Sequence, residues 1–154
     1  EPWPRPVTAA LYAGQPPQPQ GSSPAFALQR SLADVAFNGH GQSIQLSELT
    51  GQQAEAVAAV ARPESFFSML EDKGLAPVAT QALPDHYDFE SFSRNLGNDS
   101  PLICTEKDAV KLWRNYPEAW AVPLQLQLPQ AFWELLDAEL AAVSAHIRHQ
   151  GDAA

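Results

Sequence analysis

Two short stretches of this 154-residue sequence hold side chains able to move protons or bind charge. The first is Pro84-Asp85-His86-Tyr87-Asp88-Phe89. An imidazole titrates near neutral pH, so His86 can act as an acid, a base or the partner of a carboxylate such as Asp85. The second is Thr105-Glu106-Lys107-Asp108-Ala109-Val110-Lys111. On a helix Lys107 and Lys111 share one face near the N-terminus, an arrangement that attracts an anion. A plainer reading stands beside each. The first can be a polar loop whose histidine is satisfied by Asp85 or by backbone, and the second a capped surface helix with i,i+4 charge pairs. His146 and His149 are spaced i,i+3, but no third ligand is in view and a solvated helix end is the simpler account.

Other chemistries lack their residues. No Gly-x-x-x-x-Gly-Lys-Ser/Thr occurs and no Gly-x-Gly-x-x-Gly follows a strand pattern, so the sequence has no phosphate cradle of its own. It has no His-Glu-x-x-His, no second cysteine to complete a thiolate zinc site and no Gly-x-Ser-x-Gly elbow. No metal site is expected. With 9 Lys+Arg against 18 Asp+Glu the net charge is −9, which gives no basic footprint for nucleic acid. Trp113, Trp120 and Trp133 then read as core or rim anchors rather than base-stacking platforms, and Trp3 as an exposed residue of a linker. Cys104 lies in the apolar run Leu102-Ile103-Cys104 and reads as a buried thiol.

The elements that position these groups follow from patterning. Seven of the fourteen prolines fall within residues 1–24, which predicts a Pro-rich extended linker, with Val7 to Tyr12 the part able to order against a body. Residues 25–50 read as a β-hairpin linker segment turning at Asn38-Gly39-His40-Gly41, because Asn-Gly accepts the positive φ of a tight turn. Residues 51–150 read as an α/β domain. Ala56 to Ala61 is an apolar run suited to a strand buried on both faces. Pro63 suits a first helical turn, Phe66, Phe67 and Leu70 form a stripe, and Gly74 suits the left-handed stop. Val78 to Leu83 predicts a second strand, Phe89 to Leu96 a short helix, and Leu102 to Cys104 a third strand. Thr105 caps the next helix, with Asp108 three positions on. Leu124 to Leu128 alternates as a half-buried edge strand beside Pro123, and Gln130 to His149 forms a last helix with a Phe132, Leu135, Leu136, Leu140, Val143, Ile147 stripe. Alternating strands and helices predict a mostly parallel sheet flanked by helices. In such sheets ligands bind at the carboxyl ends of the strands, where the Asp85-His86 loop falls.

The succession Ala58-Ala59-Val60-Ala61-Arg62-Pro63-Glu64-Ser65-Phe66-Phe67, Pro84-Asp85-His86, Thr105-Glu106-Lys107-Asp108-Ala109-Val110-Lys111 and Trp120-Ala121-Val122-Pro123-Leu124 resembles the C-terminal half of the tetraacyldisaccharide 4′-kinases, the lipid A 4′-kinases of Gram-negative bacteria. The resemblance runs from Ala25 to Leu140. It implies transfer of the γ-phosphoryl group of ATP, with Mg²⁺, to the 4′-hydroxyl of a tetraacylated disaccharide 1-phosphate, a lipid A precursor, at the cytoplasmic face of the inner membrane. In that family the Walker-type loop, the metal carboxylates, a catalytic aspartate and a membrane helix lie upstream, in an N-terminal P-loop domain. By resemblance, then, this chain is the C-terminal α/β domain with the linker leading into it. His86 would support the catalytic aspartate of the other domain with Asp85 beside it, and Thr105, Lys107 and Asp108 would line the substrate or nucleotide cleft. One departure stands out: the family usually has glycines where this chain has Ala59 and Ala61, which implies a slightly different strand-to-helix turn.

The beginning, Glu1-Pro2-Trp3-Pro4, has neither the basic nor the apolar region of a signal peptide and lacks an initiator Met, and no run reaches the length of a membrane span. The expectation is a processed chain or a piece of a longer one, inactive alone for want of the Walker half. The competing reading is a free-standing α/β interaction or regulatory module derived from the same family. A third is an unrelated enzyme using His86 and Asp85.

Overall fold

The computed structural model describes residues 7–16 and 23–151, with side chains described up to residue 144. Trp3 and most of the Pro-rich stretch lie outside the described residues, as do the side chains of His146, Ile147 and His149. In chain order the elements are β1 (Ala10–Tyr12), β2 (Ala25–Ala27), β3 (Gln29–Leu32), β4 (Val35–Phe37), β5 (Ser43–Gln45), a 3-10 turn (Leu46–Leu49), β6 (Glu55–Ala58), α1 (Pro63–Asp72), β7 (Ala79–Ala82), β8 (Leu102–Thr105), α2 (Glu106–Leu112), β9 (Trp120–Val122), β10 (Leu124–Gln127) and α3 (Gln130–Gly151). They divide into two compact units, residues 31–125 and residues 1–30 with 126–154.

The first unit is the α/β body. Its six-stranded sheet runs β5-β4-β9-β8-β6-β7, parallel from β9 to β7, with the hairpin β4-β5 added antiparallel at one edge. Both faces are covered, so apolar residues occupy successive positions of the central strands instead of alternating ones. Ala56, Ala58, Ile103 and Val122 point to one side and meet Phe66 and Leu70 of α1. Val57, Ala59, Leu102, Cys104 and Ala121 point to the other and meet Ala109 and Leu112 of α2 together with Phe89 and Phe92. The expected three-layer α/β architecture is therefore present. Pro63 opens α1 and Gly74 ends it with φ +79°, both as the sequence indicates.

Four local expectations are corrected. Phe89 to Leu96 is not helical. Its backbone is claimed by tertiary partners: the buried Glu55 carboxylate accepts from the N–H groups of Asn95 (2.8 Å) and Leu96 (3.3 Å), and Tyr116 Oη donates to the Phe92 carbonyl (3.2 Å). Phe89 takes φ +66°, which no α-helix allows, and this turns its ring into the core. The strand expected over Leu124 to Leu128 is exposed rather than half-buried, and Pro123 separates it from β9. β9 lies inside the sheet between β4 and β8, while β10 pairs with β3 and is exposed along its whole length. At the hairpin, the positive φ falls on Gly41 (+76°) rather than on Asn38 or Gly39, because the Asn38 carboxamide accepts from the N–H groups of His40 and Gln42 and lengthens the loop. In the second unit β1 pairs parallel with β2, and Phe26 meets Phe132 of α3 edge-on at 5.7 Å. There Trp133 is exposed rather than an anchor, and Leu140 and Val143 of the expected buried stripe are also exposed.

Candidate functional site

Three strands of the body end side by side, and the two chemically suggestive stretches leave from two of those ends. β7 runs into Pro84-Asp85-His86-Tyr87 and β8 into Thr105 and α2, with β6 between them ending at Ala58 and followed by Ala59. Parallel pairing of β6 with both neighbours sets this register, Ala58 opposite Ala82 and Val57 opposite Cys104. The loop after β7 and the first turns of α2 thereby become neighbours, although 20 or more positions separate them in the chain.

Asp108 is the innermost polar group. It is only 4% exposed, yet its carboxylate accepts the N–H of Ala59 at 2.9 Å and the hydroxyl of Thr105 at 2.7 Å. The Thr105 oxygen in turn accepts the Asp108 N–H at 3.1 Å, which is the helix cap read from the sequence. The same bonds correct the surface-helix reading at this position, since Asp108 faces inward and holds the end of β6. Ala59 stands where the resembling family has glycine. It is fully buried, makes both of its backbone hydrogen bonds, and does not adopt a positive φ. The strand end tolerates a methyl group here, whereas Ala61 lies exposed in the turn beyond.

Further out, the two lysines meet the histidine loop. Lys107 Nζ donates to Asp85 Oδ1 at 2.9 Å, and Lys111 Nζ donates to the carbonyls of His86 (3.0 Å) and Tyr87 (3.1 Å). These contacts replace the i,i+4 charge pairs within α2 that the plainer reading supposed. Asp85 Oδ1 also accepts the His86 N–H at 3.1 Å. The Lys107 hydrogen bond chiefly holds the Asp85 carboxyl below its ordinary value of 3.8, helped by the charges of His86 and Lys107 and opposed by partial burial. His86 itself has φ +65°, and its N–H also reaches the Ala59 carbonyl at 3.3 Å. Its side chain is 75% exposed, with Nε2 3.8 Å from Asp85 Oδ2, beyond hydrogen-bond length. The imidazole therefore projects from a fixed backbone with an anionic neighbour and an open face. From the next residue on, Tyr87, Phe89, Phe92 and Tyr116 stack edge-on in sequence, with centroids 5.4 to 5.7 Å apart.

The five residues to which the resemblance points, Asp85, His86, Thr105, Lys107 and Asp108, thus share this end of the sheet. Lys111 belongs with them through its grip on the loop, and the only signal of that in the sequence is its place one turn after Lys107. Cys104, one residue before the cap, is buried, and desolvation with the nearby Asp108 charge pushes its thiol far upward, so it carries no nucleophilic role. Among the described residues no three His, Cys, Asp or Glu side chains converge on a metal position.

Comparison with known proteins gives this arrangement a context. The sequence model of the tetraacyldisaccharide-1-P 4′-kinase family matches residues 6–141. A tetraacyldisaccharide 4′-kinase of Delftia acidovorans is 61% identical over 144 residues, covering 93% of this chain and 42% of the relative. That of Acidovorax sp. strain JS42 is 53% identical over 145 residues, with 94% and 42% covered. The chain thus spans less than half the length of these curated relatives. Among solved structures, LpxK from Aquifex aeolicus, crystallised in complex with ATP, superposes with a TM-score of 0.57 at 20% identity over 79% of this chain and 38% of that one, a likeness of fold.

Proposed function

The chain belongs to the tetraacyldisaccharide-1-P 4′-kinase family, and from that premise we propose that it is the C-terminal part of an ATP-dependent lipid kinase that phosphorylates the 4′-hydroxyl of tetraacyldisaccharide 1-phosphate, a lipid A precursor. The observation that carries the reading is the convergence of the Asp85-His86 loop and the Thr105 to Lys111 helix at one end of the parallel sheet, inside a sequence 61% identical to such a kinase. We place the work at the cytoplasmic face of the inner membrane. Among the described residues no helix is long and apolar enough to cross a membrane.

ATP and Mg²⁺ would supply the phosphoryl group and neutralise its charge, but this chain's own residues do not fit either group. It has no Gly-rich cradle, Asp108 is spent on Ala59 and Thr105, and Asp85 is held by Lys107. Both belong with an upstream P-loop half of the kinase. The part left to this chain is proton handling and orientation at His86. Phosphoryl transfer rests mostly on positioning and charge stabilisation, so an imidazole that orients an aspartate of the other half, and shares its proton as the sugar hydroxyl attacks, is a fitting task for a second domain. Asp85 stabilises the imidazolium that such sharing creates, and Lys107 holds the Asp85 carboxylate in place through its hydrogen bond.

The test is kinetic. In a kinase polypeptide carrying this chain behind its nucleotide-binding half, His86→Ala should lower kcat by about 100-fold, the usual contribution of a general acid–base group. The KM for ATP should change little, because the phosphate contacts are made elsewhere. A parental kcat across pH 6 to 9 would reject the role of His86. Genomic sequence upstream of Glu1 without an in-frame Gly-x-x-x-x-Gly-Lys-Ser/Thr would instead favour the non-catalytic module.

A further inference from the structure

His86 is not a glycine, yet its backbone sits in the left-handed region at φ +65°. A side chain there is strained, and such a conformation persists only where the surroundings over-determine it. The bonds that do so can be named. On the amide side, the His86 N–H is shared between the Ala59 carbonyl (3.3 Å) and Asp85 Oδ1 (3.1 Å), both near the long limit for a hydrogen bond. On the carbonyl side stands Lys111. Its ammonium takes the carbonyls of His86 and Tyr87 together, at 3.0 and 3.1 Å, and so fixes the orientation of two successive peptide planes. Among the described residues it has no carboxylate partner, so this half-buried charge is given to neutral loop carbonyls. Three positions on, Phe89 also takes a positive φ, but there a fully buried ring provides the anchor. His86 has no such anchor, its side chain being 75% exposed.

We infer that Lys111 is a positioning residue: it clamps the Asp85-His86-Tyr87 backbone in the left-handed turn and thereby aims the His86 imidazole. The inference rests on the functional reading of His86 given above and extends it to a residue on a different element. α2 then serves as a platform with three separate grips on the strand-end region. Lys107 holds the Asp85 side chain, Asp108 holds the β6 end that receives the His86 N–H, and Lys111 holds the carbonyls. Only the last acts directly on the peptide plane that joins His86 to Tyr87 and on the next one.

The experiment has a structural arm and a kinetic arm. In the isotope-labelled chain, a strong intraresidue HN–Hα NOE marks positive φ at His86 and at Phe89. Lys111→Met keeps the aliphatic stem and removes the donors. It should abolish the mark at His86 and keep it at Phe89, whereas Lys111→Arg, which can still donate to both carbonyls, should restore it. An unchanged His86 NOE in Lys111→Met overturns the clamp. Should the methionine variant fail to fold, Lys111→Gln is read by the same NOE with the same two outcomes. In the kinase polypeptide, Lys111→Met should lower kcat by about 10- to 100-fold, the scale of ångström misplacement, with KM for ATP nearly constant. It should cause no further loss in a His86→Ala background, since both changes remove one function. A lost NOE with parental kcat overturns the positioning role. If His86→Ala itself leaves kcat unchanged, the reading of His86 has failed, and the NOE still decides the clamp.

Discussion

At the scale of single residues, the most consequential feature is a carboxylate turned inward. Asp108 joins two elements by accepting from Ala59 N–H and Thr105 Oγ1, and removing it strands a buried amide. Thr105→Ala should cost about 1 kcal/mol, as loss of a cap does. Asp108→Ala should cost about 2 to 4 kcal/mol, because the unpaired Ala59 N–H adds its own desolvation to the lost bonds. Urea midpoints that place the two variants together would show that the Ala59 bond contributes nothing. Asp85 makes a separate prediction. Its folded pKa lies below 3.8, so the Lys107 link favours the folded state above that value and is lost as pH falls through the lowered one. The gain is small for so exposed a pair, and the carboxyl resonance is the better probe. Asp85 should titrate below the ordinary range in the parent and return to it in Lys107→Met; titration at the ordinary value in the parent would deny the contact. The cap at Thr105 was legible in the sequence because its partners lie three positions apart. The links from Asp108 to Ala59 and from Lys111 to His86 span 49 and 25 positions, and no periodicity encodes them.

Elements show the same division between local and distant causes. β6, α1, β7, β8 and α2 were readable because each carries its own signal: an unbroken apolar run, a proline at N1, a stop glycine, a threonine cap. The supposed helix from Phe89 to Leu96 failed because its phenylalanines and amides answer to partners elsewhere, above all the buried Glu55 at the opposite end of β6. β10 alternates in sequence yet buries neither set of side chains, so alternation there reports propensity without a core. The hairpin loop is the instructive mixed case. Asn38-Gly39 marked the turn, but Gly39 is required for space rather than for dihedral angle. A Cβ there would lie 3.0 Å from the Pro117 carbonyl oxygen and 3.1 Å from Trp113 Cγ, and the Gly39 N–H already donates to that same oxygen at 2.7 Å. Gly41 is the reverse, open around its Cβ position but left-handed at φ +76°. Gly39→Ala should therefore cost about 1 to 3 kcal/mol by overpacking against backbone. Gly41→Asn should cost about 0.5 kcal/mol or less, because asparagine tolerates the left-handed region. Thermal midpoints in the opposite order would mean that the loop is governed by dihedral preference after all.

On the scale of the whole molecule, the α/β body brings the histidine loop and α2 together at one end of a parallel sheet. Its strands close a core on both faces, and its strand-end loops carry a histidine, held carboxylates and two engaged lysines, but no glycine-rich turn that leaves successive N–H groups free for phosphates. Lys107 is paired with Asp85, and Lys111 is spent on carbonyls, so neither is free to act as a phosphate-binding charge until the histidine loop gives way. The net charge of −9 further opposes an anionic ligand such as Mg-ATP at long range. Calorimetry of this chain with Mg-ATP should accordingly show no saturable heat in the micromolar range, and incubation with ATP and the tetraacyldisaccharide 1-phosphate should yield no 4′-phosphate. On the function proposed above, supplying a P-loop half should restore turnover, and His86→Ala should hold the restored rate about 100-fold lower. Stoichiometric micromolar binding of Mg-ATP by this chain alone would place nucleotide recognition within these 154 residues, and the division of labour argued from Lys107, Lys111 and the missing glycine-rich loop would have to be abandoned.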